Sequence, residues 1–173
     1  LVETGTVVIE RRRNMLLRLN LLAKLLQRKL TELKENLSLE YSPSFAITQD
    51  LKADFIKALE SSSVEEKQRG YTLVGPHRDD FSMIIDGRDV RIFGSQGQQR
   101  TAALALKLAM VDLIKRTQGV PPLLLLDDVF SEFDNERKKE LLRLLTAGTQ
   151  TIISTTELRD FPNLGSEFKA LRV

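Results

Sequence analysis

The chain has 173 residues, 42 % apolar and 29 % charged, with no cysteine and a formal net charge of +2. That length and apolar fraction describe about one domain with an ordinary core, neither a disordered chain nor a polyelectrolyte tail. The lack of cysteine excludes a disulfide scaffold, a thiolate metal site and a cysteine nucleophile, and fits a reducing compartment. No run of about 18 apolar residues is present to span a membrane, and no signal-peptide pattern opens the chain. The first Met is Met15, so a piece of a longer protein is expected.

Thr6 to Asn36 contains neither Gly nor Pro, and apolar residues recur at Met15, Leu19, Leu22, Leu26, Leu30, Leu33 and Leu37. Steps of three and four predict one face of a long helix, about 45 Å at roughly 1.5 Å per residue. Leu16, Leu17, Leu21 and Leu25 widen the stripe and predict packing on other helices. Residues 1–37 carry a net +4 and the remainder −2, so the basic excess sits on this helix. Leu37 to Ser44 reads as a short strand, and Asp50 to Leu59 as a helix with Phe55, Ile56 and Leu59 inward. Ser61 to Ser63 reads as a loop and Tyr71 to Val74 as a strand ended by Gly75-Pro76. Phe81–Ile85, Asp86-Gly87 and Arg88–Phe93 predict a hairpin, because Asp-Gly supplies the positive φ angles of a tight primed turn.

The run Gly94-Ser95-Gln96-Gly97-Gln98-Gln99-Arg100 leads into an apolar helix over Thr101–Arg116, stopped by Gly119. Leu123–Leu126 is apolar enough for a buried parallel strand and ends in Asp127-Asp128. Asp134 can cap a helix from Asn135 to about Thr146, closed by Gly148. Gln150 to Thr155 reads as a second buried strand and Phe168 to Val173 as an edge strand. This order predicts an α/β layer with parallel strands and right-handed crossovers.

Acidic residues at the end of a buried strand face the ligand crevice of an open α/β sheet. Asp127 can hold Mg²⁺, directly or through water, and Asp128 can position or deprotonate a water. The plainer reading is a polar strand end, and the pair alone also suits a metal-dependent phosphatase or nuclease. Ser95 with Gln98 is a capping-box pattern. Beyond that, a helix N-terminus with Gly97 beside it offers backbone N–H groups to a phosphate. Ser131-Glu132-Phe133-Asp134 alone is an N-cap region. Gly75-Pro76-His77-Arg78-Asp79-Asp80 holds the single histidine, with no second His or Cys to complete a metal site.

Taken in order, these pieces resemble the C-terminal half of the RecF family of bacterial recombination-repair ATPases, whose heads are similar to the SMC family of ABC-type ATPases. The resemblance rests on Gly75–Asp80, Gly94–Arg100, Leu123–Asp128, Ser131–Asp134 and the Thr-rich end of the last buried strand. It implies an α/β fold: the C-terminal lobe of an ABC-type P-loop ATPase head, with flanked parallel strands and one β-hairpin, over residues 38–173. A helical arm segment over residues 1–37 precedes it. It implies that Ser95, Gly97 and Gln98 are the signature that touches ATP held by the opposite subunit. Asp127 is then the Mg²⁺ residue, and Asp128 stands where many relatives carry a catalytic Glu. Ser131 and Asp134 lie on the loop that crosses the dimer interface, where Phe133 replaces the usual Leu. Thr156 stands where many relatives carry a switch histidine. The implied partners are double-stranded DNA or gap junctions, RecR with RecO, and a second copy in an ATP-dependent homodimer, in the bacterial cytoplasm and away from membranes. The arm residues Arg11, Arg12 and Arg13 are the candidate DNA contacts.

No G-x-x-x-x-G-K-[ST] loop occurs, so the chain alone is expected neither to bind ATP tightly nor to hydrolyse it. Two rival readings remain: an inert module that docks RecR, and an unrelated Mg²⁺-dependent phosphohydrolase using Asp127 and Asp128.

Overall fold

The computed structural model describes residues 1–130, 133–145, 148–155 and 169–171. They form two compact units, Leu1–Leu113 and Ile114–Val173.

The first unit is built around helix α1 (Val2–Leu30) and a three-stranded antiparallel sheet of β1 (Leu37–Ser42), β2 (Asp80–Ile85) and β3 (Arg88–Asp89), in the order β1-β2-β3. The long helix is present, but its partner differs from expectation. It packs mainly on β1, and less on helix α2 (Leu51–Arg69), rather than among helices alone. Its buried face is Gly5, Ile9, Leu16, Leu19, Ala23, Gln27 and Leu30. Of the predicted stripe, Leu19, Leu30 and Leu37 are buried, whereas Met15 and Leu33 are exposed. Leu17, Leu21 and Leu25 point to solvent. Two small residues explain the shift. Gly5 lies so close to Phe55 that a Cβ would come within 2.5 Å of its ring, and Ala23 is fully buried. The helix also seals a sheet edge: Asn20 Oδ1 accepts the Leu39 N–H at 2.8 Å, meeting a strand donor that would otherwise lack a partner.

Strand β1 pairs with β2 from Leu37↔Ile85 to Ser42↔Asp80, and β2 with β3 through the expected two-residue turn. Asp86 and Gly87 have φ of +47° and +80°, the primed geometry that Asp-Gly favours. The second hairpin arm is shorter than predicted. After Asp89 the chain turns into the short helix α3 (Val90–Phe93), because the Asp89 carboxylate accepts the Arg91 N–H at 2.8 Å and starts a helical turn.

Helix α2 runs ten residues past its predicted end. Ser61 and Ser62, expected in a loop, donate to the Lys57 and Leu59 carbonyls and stay helical, and Gly70 caps the end. Asp50 caps the start by accepting the Ala53 N–H. Phe55 is fully buried and stacks on Phe45 with centroids 4.9 Å apart, but Ile56 is exposed. Phe55→Ala is expected to destabilise the fold by about 3–5 kcal/mol, read as a lower midpoint in urea denaturation. An unchanged midpoint would remove Phe55 from the core.

Tyr71 to Val74 forms no strand. Side chains rather than a neighbouring strand satisfy its backbone. Glu66 accepts the Leu73 N–H at 2.7 Å, and that bond, with the Ser62 hydroxyl and the Val74 N–H, holds its carboxyl below the usual range. His77 Nε2 and Arg78 Nε both bond the Thr72 carbonyl. The Gly75–Asp80 run is bolted in the same way. Ser44 Oγ accepts the Gly75 N–H, Asp79 accepts the Ser44 N–H, and Tyr41 donates its hydroxyl to Asp79. Burial, reinforced by the Asp79 carboxylate, pushes the Tyr41 phenol up.

Helix α4 (Gln96–Gln118) starts five residues earlier than predicted and ends at Gly119, whose φ of +73° suits a left-handed stop. In the second unit, β4 (Leu124–Asp127) and β5 (Thr151–Ser154) pair in parallel, joined through α5 (Asn135–Leu145). Leu124 and Leu126 are buried, whereas Leu125 and Ile152 are exposed, so this sheet is covered on one face rather than on both as expected. The strand expected over Phe168–Val173 lies mostly outside the described residues, and residues 169–171 form none. No helix among the described residues is long and apolar enough to cross a membrane.

Candidate functional site

The Ser95 turn lies in the first unit. Gly94 bonds the Val90 carbonyl as α3 ends, and a Cβ at Gly94 would come within 2.4 Å of that same oxygen. Only glycine fits, so the chain is held where α4 must begin. The capping box is complete. Ser95 Oγ accepts the Gln98 N–H at 3.2 Å, and Gln98 Oε1 accepts the Ser95 N–H at 3.0 Å. Helix geometry leaves the Gln96 and Gly97 N–H groups without intrahelical acceptors, so they carry the positive end of a 23-residue helix. Ser95 is exposed, and Gly97 and Gln98 are half-buried. Thr101 is buried and donates to the Gly97 carbonyl at 2.7 Å, which anchors the turn from within. Gly94→Ala is therefore expected to displace the Ser95 turn, read as a several-fold gain in amide exchange at Ser95 and Gln98. Unchanged protection would show that the collision at Val90 is relieved elsewhere.

Two partners of this turn went unseen in the sequence. Gln98 Nε2 donates to Glu35 Oε1 at 3.2 Å, and Glu35 Oε2 accepts from Gln27 Nε2 at 2.7 Å. Glu35 lies in the connection between α1 and β1, 63 residues from Gln98. No local spacing could have pointed to it.

The acidic pair lies in the second unit at the C-terminal end of β4. Register places Asp127 beside Ser154, the last residue of β5, and the Ser154 hydroxyl donates to Asp127 Oδ1. Asp128 leaves the strand with a φ of +46°, and its N–H is held by the Ser154 carbonyl at 3.2 Å and hydroxyl at 3.1 Å. Asp is among the residues that tolerate this left-handed conformation. Ser154 thus holds the Asp127 carboxylate and the Asp128 backbone, and counting register along two parallel strands ending in polar residues could have found it. Among the described residues no cluster of three His, Cys, Asp or Glu forms a ready metal cage. One carboxylate beside a hydroxyl fits Mg²⁺, which keeps waters and takes substrate phosphate oxygens as ligands.

Past Asp128, Phe130 and Phe133 are buried and Asp134 starts α5. The Asp134 carboxylate accepts the Arg137 N–H at 2.9 Å, so it serves as a helix cap. Ser131 and Thr156 lie outside the described residues. On α1, Arg11, Arg12 and Arg13 are all exposed, but Arg12 is committed. It donates to the Pro76 carbonyl and lies close enough to the Tyr41 hydroxyl to oppose its upward shift.

No family model matches the chain. Curated relatives named DNA replication and repair protein RecF do. That of Alkaliphilus oremlandii is 43 % identical over 99 % of this chain and 48 % of its own length. That of Halothermothrix orenii is 44 % identical over 95 % and 44 %, and that of Lactococcus lactis 43 % over 100 % and 47 %. The chain spans about half the length of the curated relatives it matches. Among solved structures, the recombination mediator protein RecF of the RecFOR pathway, solved as RecF-ATP and as RecF-ATPrS, superposes with a TM-score of 0.77. Its identity is 34 %, covering 91 % of this chain and 43 % of that one. An SmcHead bound to the C-winged helix domain of ScpA superposes at 0.50 with 14 % identity, over 87 % of this chain and 37 % of its own, a likeness of fold alone.

Proposed function

Because the chain matches the C-terminal half of RecF proteins over nearly its full length, we propose that it supplies the signature turn and the acidic strand end of an ATPase that acts on DNA in recombination and repair. The observation that carries the reading is the Ser95–Gln98 capping box at the start of α4. The Ser95 hydroxyl accepts the Gln98 N–H, which leaves its own proton to donate to a phosphate oxygen, next to the open Gln96 and Gly97 N–H groups.

In the intact protein, two heads enclose two ATP molecules, and each signature turn faces a phosphate held by the other head. A helix N-terminus stabilises an anion by about 0.3–1 kcal/mol when exposed and up to roughly 2 kcal/mol when partly buried. Asp127, steadied by Ser154, would hold Mg²⁺ directly or through water. Such an ion would supply positive charge against the charge that develops during phosphoryl transfer. Asp128 orients or deprotonates the attacking water. Asp134 caps α5, and with Ser131 it is a candidate contact to nucleotide held by the opposite head. Nothing in residues 1–173 matches a phosphate loop, so the chain by itself is expected to show no micromolar ATP binding in a radiolabelled filter assay. Micromolar retention would overturn that division of labour and favour an independent phosphohydrolase.

The same reading places DNA on the arm, with RecR and RecO as protein partners. Arg11 and Arg13 are exposed and supply phosphate contacts, whereas Arg12 holds the Pro76 loop. Reversing Arg11 and Arg13 to Glu is expected to weaken double-stranded DNA binding and to flatten its salt dependence by about two units of slope. An unchanged slope moves the DNA contacts elsewhere. Reversing Arg12 would disturb the loop as well, so it is left out of the test.

A further inference from the structure

We propose that Glu35 is a positioning residue that couples the arm helix to the signature turn by fixing which way the Gln98 amide faces. The inference rests on the reading of Ser95–Gln98 as a phosphate-facing turn. A glutamine amide can sit either way round, with oxygen and nitrogen exchanged. Here only one orientation satisfies both neighbours. Ser95 N–H needs an acceptor and receives Gln98 Oε1, which turns Gln98 Nε2 towards the Glu35 carboxylate. Turned over, Gln98 would set its NH₂ against the Ser95 N–H, donor against donor, and its oxygen against an anion.

Glu35 is itself held from the arm. Its second oxygen accepts from Gln27, which is fully buried on the packed face of α1, with its own Oε1 buried and lacking a hydrogen-bond partner. The turn that delivers Glu35 is strained. Glu32 and Leu33 have φ of +51° and +66°, a conformation that costs a side-chain-bearing residue energy. It persists because the Arg28 and Thr31 carbonyls accept the Leu33 and Lys34 N–H groups. A displacement of α1 therefore moves Gln27, then Glu35, then the Gln98 amide. The arm, the candidate DNA element, is tied in this way to the candidate nucleotide turn, and Glu35 never meets the nucleotide.

The chemistry also predicts which variant rescues. Glu35→Ala removes both acceptors. Glu35→Gln keeps an oxygen for Gln98 and presents an NH₂ to Gln27, whose unpartnered Oε1 can turn to accept it. In the intact protein, Glu35→Ala is expected to lower kcat about tenfold with the ATP KM within about twofold, since small misplacements of positioning groups carry costs of this order. Glu35→Gln is expected to stay within about threefold of the parent. Without nucleotide, amide exchange at Ser95 and Gln98 is expected to rise about tenfold in the Ala variant and not in the Gln variant. Unchanged kcat in Glu35→Ala, equal damage in Glu35→Gln, or unchanged exchange each overturns the coupling. The exchange arm needs no ATP, so the two readings fail separately. Normal dimers from Ser95→Arg would remove the phosphate-facing turn and this coupling's function with it. Lost dimers there, with a silent Glu35→Ala, would remove the coupling alone.

Discussion

Ser95→Arg in the intact protein is expected to leave ATP binding within about threefold of the parent while abolishing ATP-dependent dimers and lowering turnover by about 10³-fold or more. The size follows from the role. Charge stabilisation supplied in trans during phosphoryl transfer reaches about 10³–10⁵-fold in rate. On the proposed reading ATP binding survives, because residues 1–173 contain no phosphate loop and Ser95 takes no part in gripping the nucleotide of its own head. The new side chain fits at an exposed turn, so the monomer keeps its fold, although losing the Ser95 cap costs about 0.5–2 kcal/mol of helix stability. Ser95→Ala separates the two effects. It loses the same cap without adding bulk or charge, and is expected to retain weak dimerisation. Sedimentation with and without ATP, alongside a thermal melt, makes the measurement. Dimers from Ser95→Arg at parental ATP concentrations would refute the signature assignment.

Asp128→Asn is expected to produce the opposite failure: ATP binds, dimers form, and hydrolysis slows about 10²–10⁴-fold, the usual contribution of a general base. The structure makes this a clean substitution. Asp128 sits at a φ of +46°, which Asn accepts as readily as Asp, and its N–H bonds to Ser154 come from the backbone. The variant changes charge and keeps the backbone N–H bonds to Ser154. Dimers that outlive a chase of unlabelled ATP are the expected sign. Parental turnover would take Asp128 out of the chemistry and leave it a strand-end residue.

Much of the candidate site was legible because its signals are local. Asp-Gly specified the primed turn, Ser95 with Gln98 specified the cap of α4, and Asp134 specified the start of α5. In the two caps one side chain meets a backbone group three residues on, and the turn needs only two adjacent residues that accept positive φ. The misreadings have physical causes as well. Serines at 61 and 62 look like loop residues until their hydroxyls bond the preceding helical turn. Tyr71–Val74 has strand composition, but Glu66 takes a donor that a neighbouring strand would have used. Arg88–Phe93 has strand composition too, yet Asp89 caps a helical turn inside it. On α1 the leucines cover so wide an arc that more than one face could have been buried. Gly5 and Ala23, the residues with least to bury, decided which one approached the core.

The sequence by itself determined the long first helix with its basic excess, the Asp-Gly turn, the capped start of α4, the acid pair closing a strand and the lack of a phosphate loop. All of these depend on residue identity and on neighbours a few positions away. Only the tertiary structure decided that Arg12 serves the Pro76 loop, that Ser154 holds the Asp127 carboxylate and the Asp128 backbone, and that Glu35 joins Gln27 to Gln98. Those links join residues 8 to 64 positions apart. Each depends on a donor and an acceptor brought within about 3 Å by the packing of whole elements, and hydrogen-bonding capacity without position does not identify the partner.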